Sequence, residues 1–253
     1  MRVAGEEAGR IRKHERIAED LRARIRAGEL ADGDRLPGEN VLMEQYGVAR
    51  MTARQALAEL QNEGLAIARK GSGVFVRTFR PVRRFGNRRL NRTVWGSGRS
   101  IWDVGTAGPV TVDSLVVEEV PVPPKPGAIL GLEPGKPVLV RRRRYLVNDE
   151  PVQIAAAYIP LELAAGTPIA DQDTGPGGVY ARLSELGFPP IRFTEELYAR
   201  MPTREEADIL QLVPGTPVIR VMRTAISKDD RVVEVSDMTL SAAAHVLQYD
   251  FDA

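Results

Sequence analysis

Two arginine-rich stretches carry most of the chemistry that this sequence can perform. The first, "RMTARQ", offers Arg50, Thr52, Arg54 and Gln55. Arginine can bond guanine O6 and N7 bidentately, Gln55 suits adenine, and Thr52 suits a phosphate or a thymine methyl. Shortly after come Arg69 and Lys70, which can neutralise phosphates, and Gly71, which lets a backbone approach closely. The second stretch, "VLVRRRRYLVNDEPVQ" at 139–154, holds Arg141, Arg142, Arg143 and Arg144 in a row. On a strand, Arg141, Arg143 and Tyr145 share one face and Arg142 and Arg144 the other, so at most half of them can serve one pocket. A third feature, "DTGPGGVYARL", sets Gly177 and Gly178 at a helix start, where free N–H groups and the helix dipole favour an anion. The alternative for those glycines is a flexible loop ended by a cap. Catalytic groups are scarce. There is no cysteine and there are two histidines: His14 lies in a helical stretch and His245 has no evident partner. No nucleophile elbow, metal triad or phosphate-binding glycine signature is present, so neither a cofactor nor a metal is expected.

The elements that must hold these groups follow from periodicity. Ile17, Leu21 and Ile25 make an apolar stripe on a helix over about 14–27, and Gly28 closes it. "ENVLMEQYG" predicts a short second helix. In "RMTARQALAELQNEG", Ala53, Ala56, Leu57 and Leu60 form a buried face that Gly64 ends. "LAIARKGSGVFVR" predicts a two-stranded hairpin with a glycine-rich tip. Three helices and a hairpin make a winged helix-turn-helix, in which the third helix enters the major groove and its first residues, Arg50, Met51, Thr52, Arg54 and Gln55, reach base edges. Charge supports this division. Residues 1–92 hold 20 Lys+Arg against 12 Asp+Glu, whereas the remainder hold 15 against 22. A basic module facing a polyanion is therefore joined to an acidic one that does not face it. The four consecutive arginines lie in the acidic half, which argues against their being the nucleic-acid patch.

The second half contains a duplication. "ILGLEPGKPV" at 129–138 and "ILQLVPGTPV" at 209–218 share seven of ten positions at an offset of 80, and Arg143 aligns with Arg223. Each copy predicts a short helix, a Pro-Gly turn and a strand hairpin, and two such units can pair about a pseudo-twofold axis into one antiparallel sheet. Between the halves, residues 79–105 lack a clean period and are expected to be a basic linker. Its Arg83, Arg84, Arg88, Arg89 and Arg92 would either add phosphate contacts or be solvated. The expected organisation is a DNA-binding domain at 10–78, the linker at 79–105 and an effector-binding and dimerisation domain at 106–253, an α+β class protein.

The stretch "GDRLPGENVLMEQYGVARMTARQALAELQNEGLAIARKGSGVFV" resembles the DNA-binding domain of the GntR transcriptional regulators, over about residues 14–78. That resemblance implies DNA contacts by Arg50, Thr52, Arg54, Lys70 and Gly71. The chain departs from the family where Gly38 replaces a serine, Asn40 an arginine, and Ala49 a serine or threonine. "PVLVRRRRYLVNDEPVQIAAAYIP", "VYARLSELG" and "LQLVPGTPVIRVMRTAISKDDRVVEVSDM" are similar to the UTRA effector domain of the HutC-like branch, over about 108–251. The implied fold is similar to chorismate lyase, an antiparallel sheet with packed helices, and the implied assembly is a homodimer. The same resemblance implies a ligand-binding arginine at Arg143, a tyrosine at Tyr180 and a carboxylate at Glu234. Tyr145 stands where the family often has a second arginine, and Gly178 where it often has a serine. In the strand after the helix, Glu195 and Arg200 are further candidates for the ligand, or else surface ion pairs.

These readings imply a cytoplasmic, effector-responsive transcriptional regulator. It is expected to be a repressor that leaves a palindromic double-stranded DNA operator when a small anionic effector binds. The alternative is a lyase-like enzyme carrying a DNA-binding appendage, which the shortage of catalytic groups disfavours. No run approaches the 18 or so apolar residues of a membrane span, and the acid-bearing N-terminus lacks a signal-like apolar core.

Overall fold

A computed structural model describes residues 12–69, 71–77, 81–104 and 109–251. The chain forms two compact units. The main body of the first ends at Arg80, and the second begins at Pro81.

In the first unit, helices α1 (Lys13–Arg26), α2 (Glu39–Tyr46) and α3 (Arg50–Asn62) precede an antiparallel hairpin of β1 (Ala66–Arg69) and β2 (Gly73–Val76). The one-turn spacing of Ile17 and Leu21 buries both in a core shared with Ala53, Ala56, Leu57 and Leu60. Gly47 ends α2 at φ +60°, a left-handed turn that a glycine adopts without a Cβ penalty. Ala49 then starts α3 with no side-chain cap. The result is the winged helix-turn-helix that the pattern predicts.

The second unit opens with β3 (Val82–Phe85), α4 (Gly86–Arg89) and α5 (Arg92–Trp95), followed by β4 (Val110–Pro121), α6 (Pro124–Leu130), β5 (Pro137–Val147) and β6 (Glu150–Pro160). Then come α7 (Leu161–Ala164), α8 (Gly178–Glu185), β7 (Arg192–Arg200), α9 (Arg204–Ile209), β8 (Val218–Ile226), β9 (Val232–Ser241) and β10 (His245–Gln248). Six strands form one antiparallel sheet in the order β4-β5-β6-β9-β8-β7. The internal repeat is visible as symmetry. β6 and β9 meet at the centre, and their pairs Ala155–Met238 and Tyr158–Val235 map onto one another under the 80-residue offset. Each copy also owns an edge strand, β4 or β7, so the repeated unit is larger than the helix-plus-hairpin read from sequence. Both hairpins turn on left-handed polar residues, Asn148 and Asp149 in one and Asp229 and Asp230 in the other.

The basic stretch expected as a linker is not a free connector, because residues 81–104 belong to the second unit. β3 pairs in parallel with β10 at the end of the chain. Trp95 is buried and its Nε1 donates to the Leu90 carbonyl at 3.1 Å. Arg84 and Arg89, offered as phosphate contacts or solvated charges, are each only 2% exposed. Arg83 and Arg88 are exposed but engage Gln248 and Asp250. Periodicity missed this segment because its pieces are four residues long and its buried Arg84 finds its partner, Glu195, far along the chain.

His245 ties the same region down. It is 4% exposed, and its Nδ1 lies 3.0 Å from the Ser241 carbonyl. Burial, with added repulsion from Arg84 and Arg89, lowers its pKa to about 4 from 6.5. The imidazole is neutral in the fold, so the unfolded chain takes up the proton first as pH falls. Stability of the second unit should therefore decline between pH 6.5 and 4, by on the order of a few kcal/mol over the window. Denaturant melts from pH 7 to pH 4.5 on the protein and on His245→Gln check this. An equal acid slope in both would remove His245 as the cause.

Candidate functional site

The first candidate surface is the exposed N-terminal face of α3. The hydrophobic period turns Ala53, Ala56 and Leu57 inward, which leaves Arg50, Met51, Arg54 and Gln55 exposed and Thr52 half-buried. Met51 is 60% exposed, unusual for its type, and it adds an apolar tip among the polar groups. The two arginines are not loose. Arg54 donates Nε and Nη2 to the two oxygens of Glu39 at 2.7 and 3.2 Å, and the Arg50 guanidinium lies 3.7 Å from the same carboxylate. Arg50 Nη2 also donates to Asn40 at 3.1 Å. The Arg54 hydrogen bonds hold the Glu39 carboxyl below the usual carboxylate range. At the hairpin tip, Gly71 has φ +74°, and the Arg69 guanidinium lies over the Phe75 ring at 4.6 Å. Lys70 lies outside the described residues.

The second candidate site is a cavity of about 720 Å³ over one face of the large sheet. Strand alternation brings Arg141, Arg143 and Tyr145 to it from β5, and Glu234 and Ser236 from β9. Arg142 and Arg144 point to the opposite face, where Arg142 pairs with Glu118 and Arg144 with Asp113. Of the candidates read from sequence, Arg143, Tyr145, Gly177, Gly178, Tyr180 and Glu234 all line the cavity. Arg143 is half-buried and makes no ion pair or side-chain hydrogen bond among the described residues. Tyr180 donates its hydroxyl to Glu234 at 3.0 Å, and burial keeps it a neutral phenol by raising its pKa well above the usual value. The Ser236 hydroxyl donates to the same Glu234 oxygen at 2.7 Å.

Two of the sequence candidates lie elsewhere. Glu195 is in an edge strand, where it pairs with buried Arg84 and accepts a hydrogen bond from Tyr249 at 2.7 Å. Arg200 is five residues further along the same strand, so alternation sends it to the other face. There it forks onto Glu206 with two 2.6 Å hydrogen bonds.

The glycines also differ in detail from the expectation. The N–H of Gly177 donates to the Gly98 carbonyl, and that of Gly178 to the Gly175 carbonyl. A Cβ on Gly177 would meet the Trp95 carbonyl oxygen at 2.4 Å, so this glycine is required for close packing. Neither supplies a free donor. Among the described residues, the open N–H groups of the first turn of α8 are those of Val179 and Tyr180.

Three further arginines line the cavity, none of them singled out in the sequence as a ligand candidate. Arg141 is fully buried and donates to the carbonyls of Ile169, Asp171 and Gln172. Arg89 comes from the stretch expected as a linker, and Arg223 from β8. The repeat carried a signal for Arg223, since it occupies in the second copy the place that Arg143 holds in the first. Nothing in the sequence marked Arg89.

Comparison with known proteins agrees with this architecture. Residues 13–76 match the bacterial regulatory proteins of the gntR family, and residues 108–245 match the UTRA domain. The chain is 29% identical to the uncharacterized HTH-type transcriptional regulator SCO4628 of Streptomyces coelicolor, covering 94% of this chain and 92% of that one. It is 31% identical to the HTH-type transcriptional repressor NagR of Bacillus subtilis, covering 86% of each. A crystal structure assigned to the GntR family of transcriptional regulators superposes with a TM-score of 0.61 at 27% identity, over 96% of this chain and 98% of that one. With a winged helix-turn-helix in one unit, a lined cavity in the other, and relatives that are regulators rather than enzymes, the chain belongs to the GntR family, a transcriptional regulator that joins a helix-turn-helix DNA-binding domain to a UTRA ligand-binding domain.

Proposed function

We propose that this regulator is a cytoplasmic repressor that binds a palindromic operator as a homodimer and is released by a small anionic effector. The observation that carries the effector class is the cavity itself, where the Arg143 guanidinium stands half-buried without an internal counter-charge. Glu234, already fixed by Tyr180 and Ser236, is suited to take a hydroxyl or amine of the same ligand. Repression is supported by the name of the Bacillus subtilis relative. Operator contacts are assigned to Arg50, Thr52, Arg54 and Gln55 for bases, and to Arg69, Lys70 and Gly71 for the backbone. Two copies would read two half-sites one helical turn or a multiple apart. The effector acts by binding one arrangement of the dimer more tightly than the other, and its effect is limited by that difference.

The test starts with a thermal-shift screen of sugar phosphates, carboxylate metabolites, neutral sugars and amines, since a ligand of the folded state raises the melting temperature. A hit should release the protein from a DNA fragment of its own promoter. Arg143→Ala should bind that fragment with unchanged affinity and lose at least tenfold in sensitivity to the hit. Normal release of the variant would remove Arg143 from the site, and hits confined to cations or neutral compounds would overturn the anionic class.

A further inference from the structure

The cavity holds more positive charge than one anionic group answers. Arg223 is 5% exposed, yet its Nε and Nη1 have no hydrogen-bond partner. Its Nη2 lies 3.5 Å from the Ser236 hydroxyl and 3.8 Å from Glu234, at or beyond the limit of a hydrogen bond, and the guanidinium lies 5.6 Å from the centre of the Tyr180 ring. Arg89 is 2% exposed, faces the Trp102 ring at 5.3 Å, and makes no ion pair or side-chain hydrogen bond among the described residues. Both line the cavity. The interior acids balance them only in part: Glu234 pairs loosely with Arg223 at 3.8 Å, and Arg89 has no ion pair among the described residues. Glu195 is taken by Arg84 and Tyr249, and one oxygen of Glu234 by Tyr180 and Ser236. The lining carboxylates Asp103 and Asp173 are exposed at the rim and accept from backbone N–H groups. A buried guanidinium whose N–H donors are unmet is costly, and five fixed donors in a plane suit a carboxylate or phosphate held bidentately.

The cations fall into two groups. Arg143 and Arg223 are equivalent positions of the repeat on strands separated by β6 and β9, three strand spacings across and two residues out of register, so ~16 Å apart at the backbone. The neighbouring charge that most disfavours ionised Arg89 is Arg84, followed by Arg223, whereas for Arg141 it is Arg143. Resting on the reading of this cavity as the effector site, we infer that it contains a second anion subsite, built by Arg89 and Arg223. The effector is then a small metabolite with two separated anionic groups, one met by Arg143 and the other by Arg89 and Arg223. Glu234, on β9 and nearer the Arg223 end of the cavity, takes a hydroxyl or amine of the ligand.

Crystals of the full chain soaked in selenate count the subsites directly by anomalous scattering. Two selenates are expected in the cavity, one against Arg143 and one against Arg89 and Arg223. Arg223→Gln should lose only the second, and Arg143→Ala only the first. A single selenate at Arg143, indifferent to Arg223→Gln, overturns the second subsite and leaves the anionic effector standing. One selenate touching both Arg143 and Arg223 overturns the two-group ligand. An empty cavity overturns both this inference and the anionic reading beneath it. The map of the unaltered protein decides between these outcomes even if a variant fails to fold.

Discussion

Replacing Arg50 and Arg54 together by alanine should abolish discrimination between the operator and unrelated DNA while leaving weak, salt-dependent binding. Each bidentate base contact is worth roughly 10- to 100-fold, so a combined loss of roughly 100-fold or more is expected. The geometry favours a large value. Both guanidiniums are fastened to α2 through Glu39, and Arg50 also through Asn40, so little freedom is lost when they meet bases. Asn40, which departs from the arginine common in this family, thereby acts as a support for Arg50. Residual binding would come from phosphate contacts, which carry the salt dependence but no sequence information. Competition assays at fixed salt, with operator against scrambled fragments, check the outcome. Retained discrimination in the double variant would remove α3 from base reading.

Arg141→Met should be the most destabilising single change among the four consecutive arginines, at about 3 kcal/mol. The side chain is fully buried, and its three carbonyl partners at Ile169, Asp171 and Gln172 shape the segment leading to α8. A buried carbonyl left without a donor costs about 1–3 kcal/mol. Part of that loss is offset, because burial and the nearby Arg143 charge lower the Arg141 pKa to about 10, and methionine relieves both penalties. Arg142→Met, at an exposed ion pair, should cost under about 1 kcal/mol. Denaturant unfolding of the two variants compares them directly. Equal midpoints would mean that water replaces the guanidinium at those carbonyls.

Much of the molecule was legible in its sequence, and the legible parts share a cause. The helices of the first unit follow from the spacing of Ile17, Leu21, Ala53, Leu57 and Leu60, and the pseudo-twofold sheet follows from the two "PG.PV" segments at an offset of 80. Strand alternation also divided the four arginines correctly between two faces, since the period of two is a property of the backbone alone. Local pattern is sufficient for such features because each residue's role depends on neighbours within a turn or a strand.

Long-range pairing is where the sequence stopped being informative. Glu195 was a candidate for the cavity, yet Arg84, 111 positions earlier, claims it. Gly177 looked like an anion cradle, but its N–H and its lack of a Cβ serve contacts with Gly98 and Trp95. Arg89 looked like linker charge, but the chain buries it in the cavity wall. An arginine on a short segment has the same sequence signature whether water or a cavity surrounds it. The sequence by itself determined the two domains, the helix whose exposed face is proposed to meet DNA, and the strand that carries Arg143. Only the tertiary structure decided which of the remaining arginines are fasteners and which stand unpaired, because the energy of a buried charge is set by partners that the chain brings together from far apart.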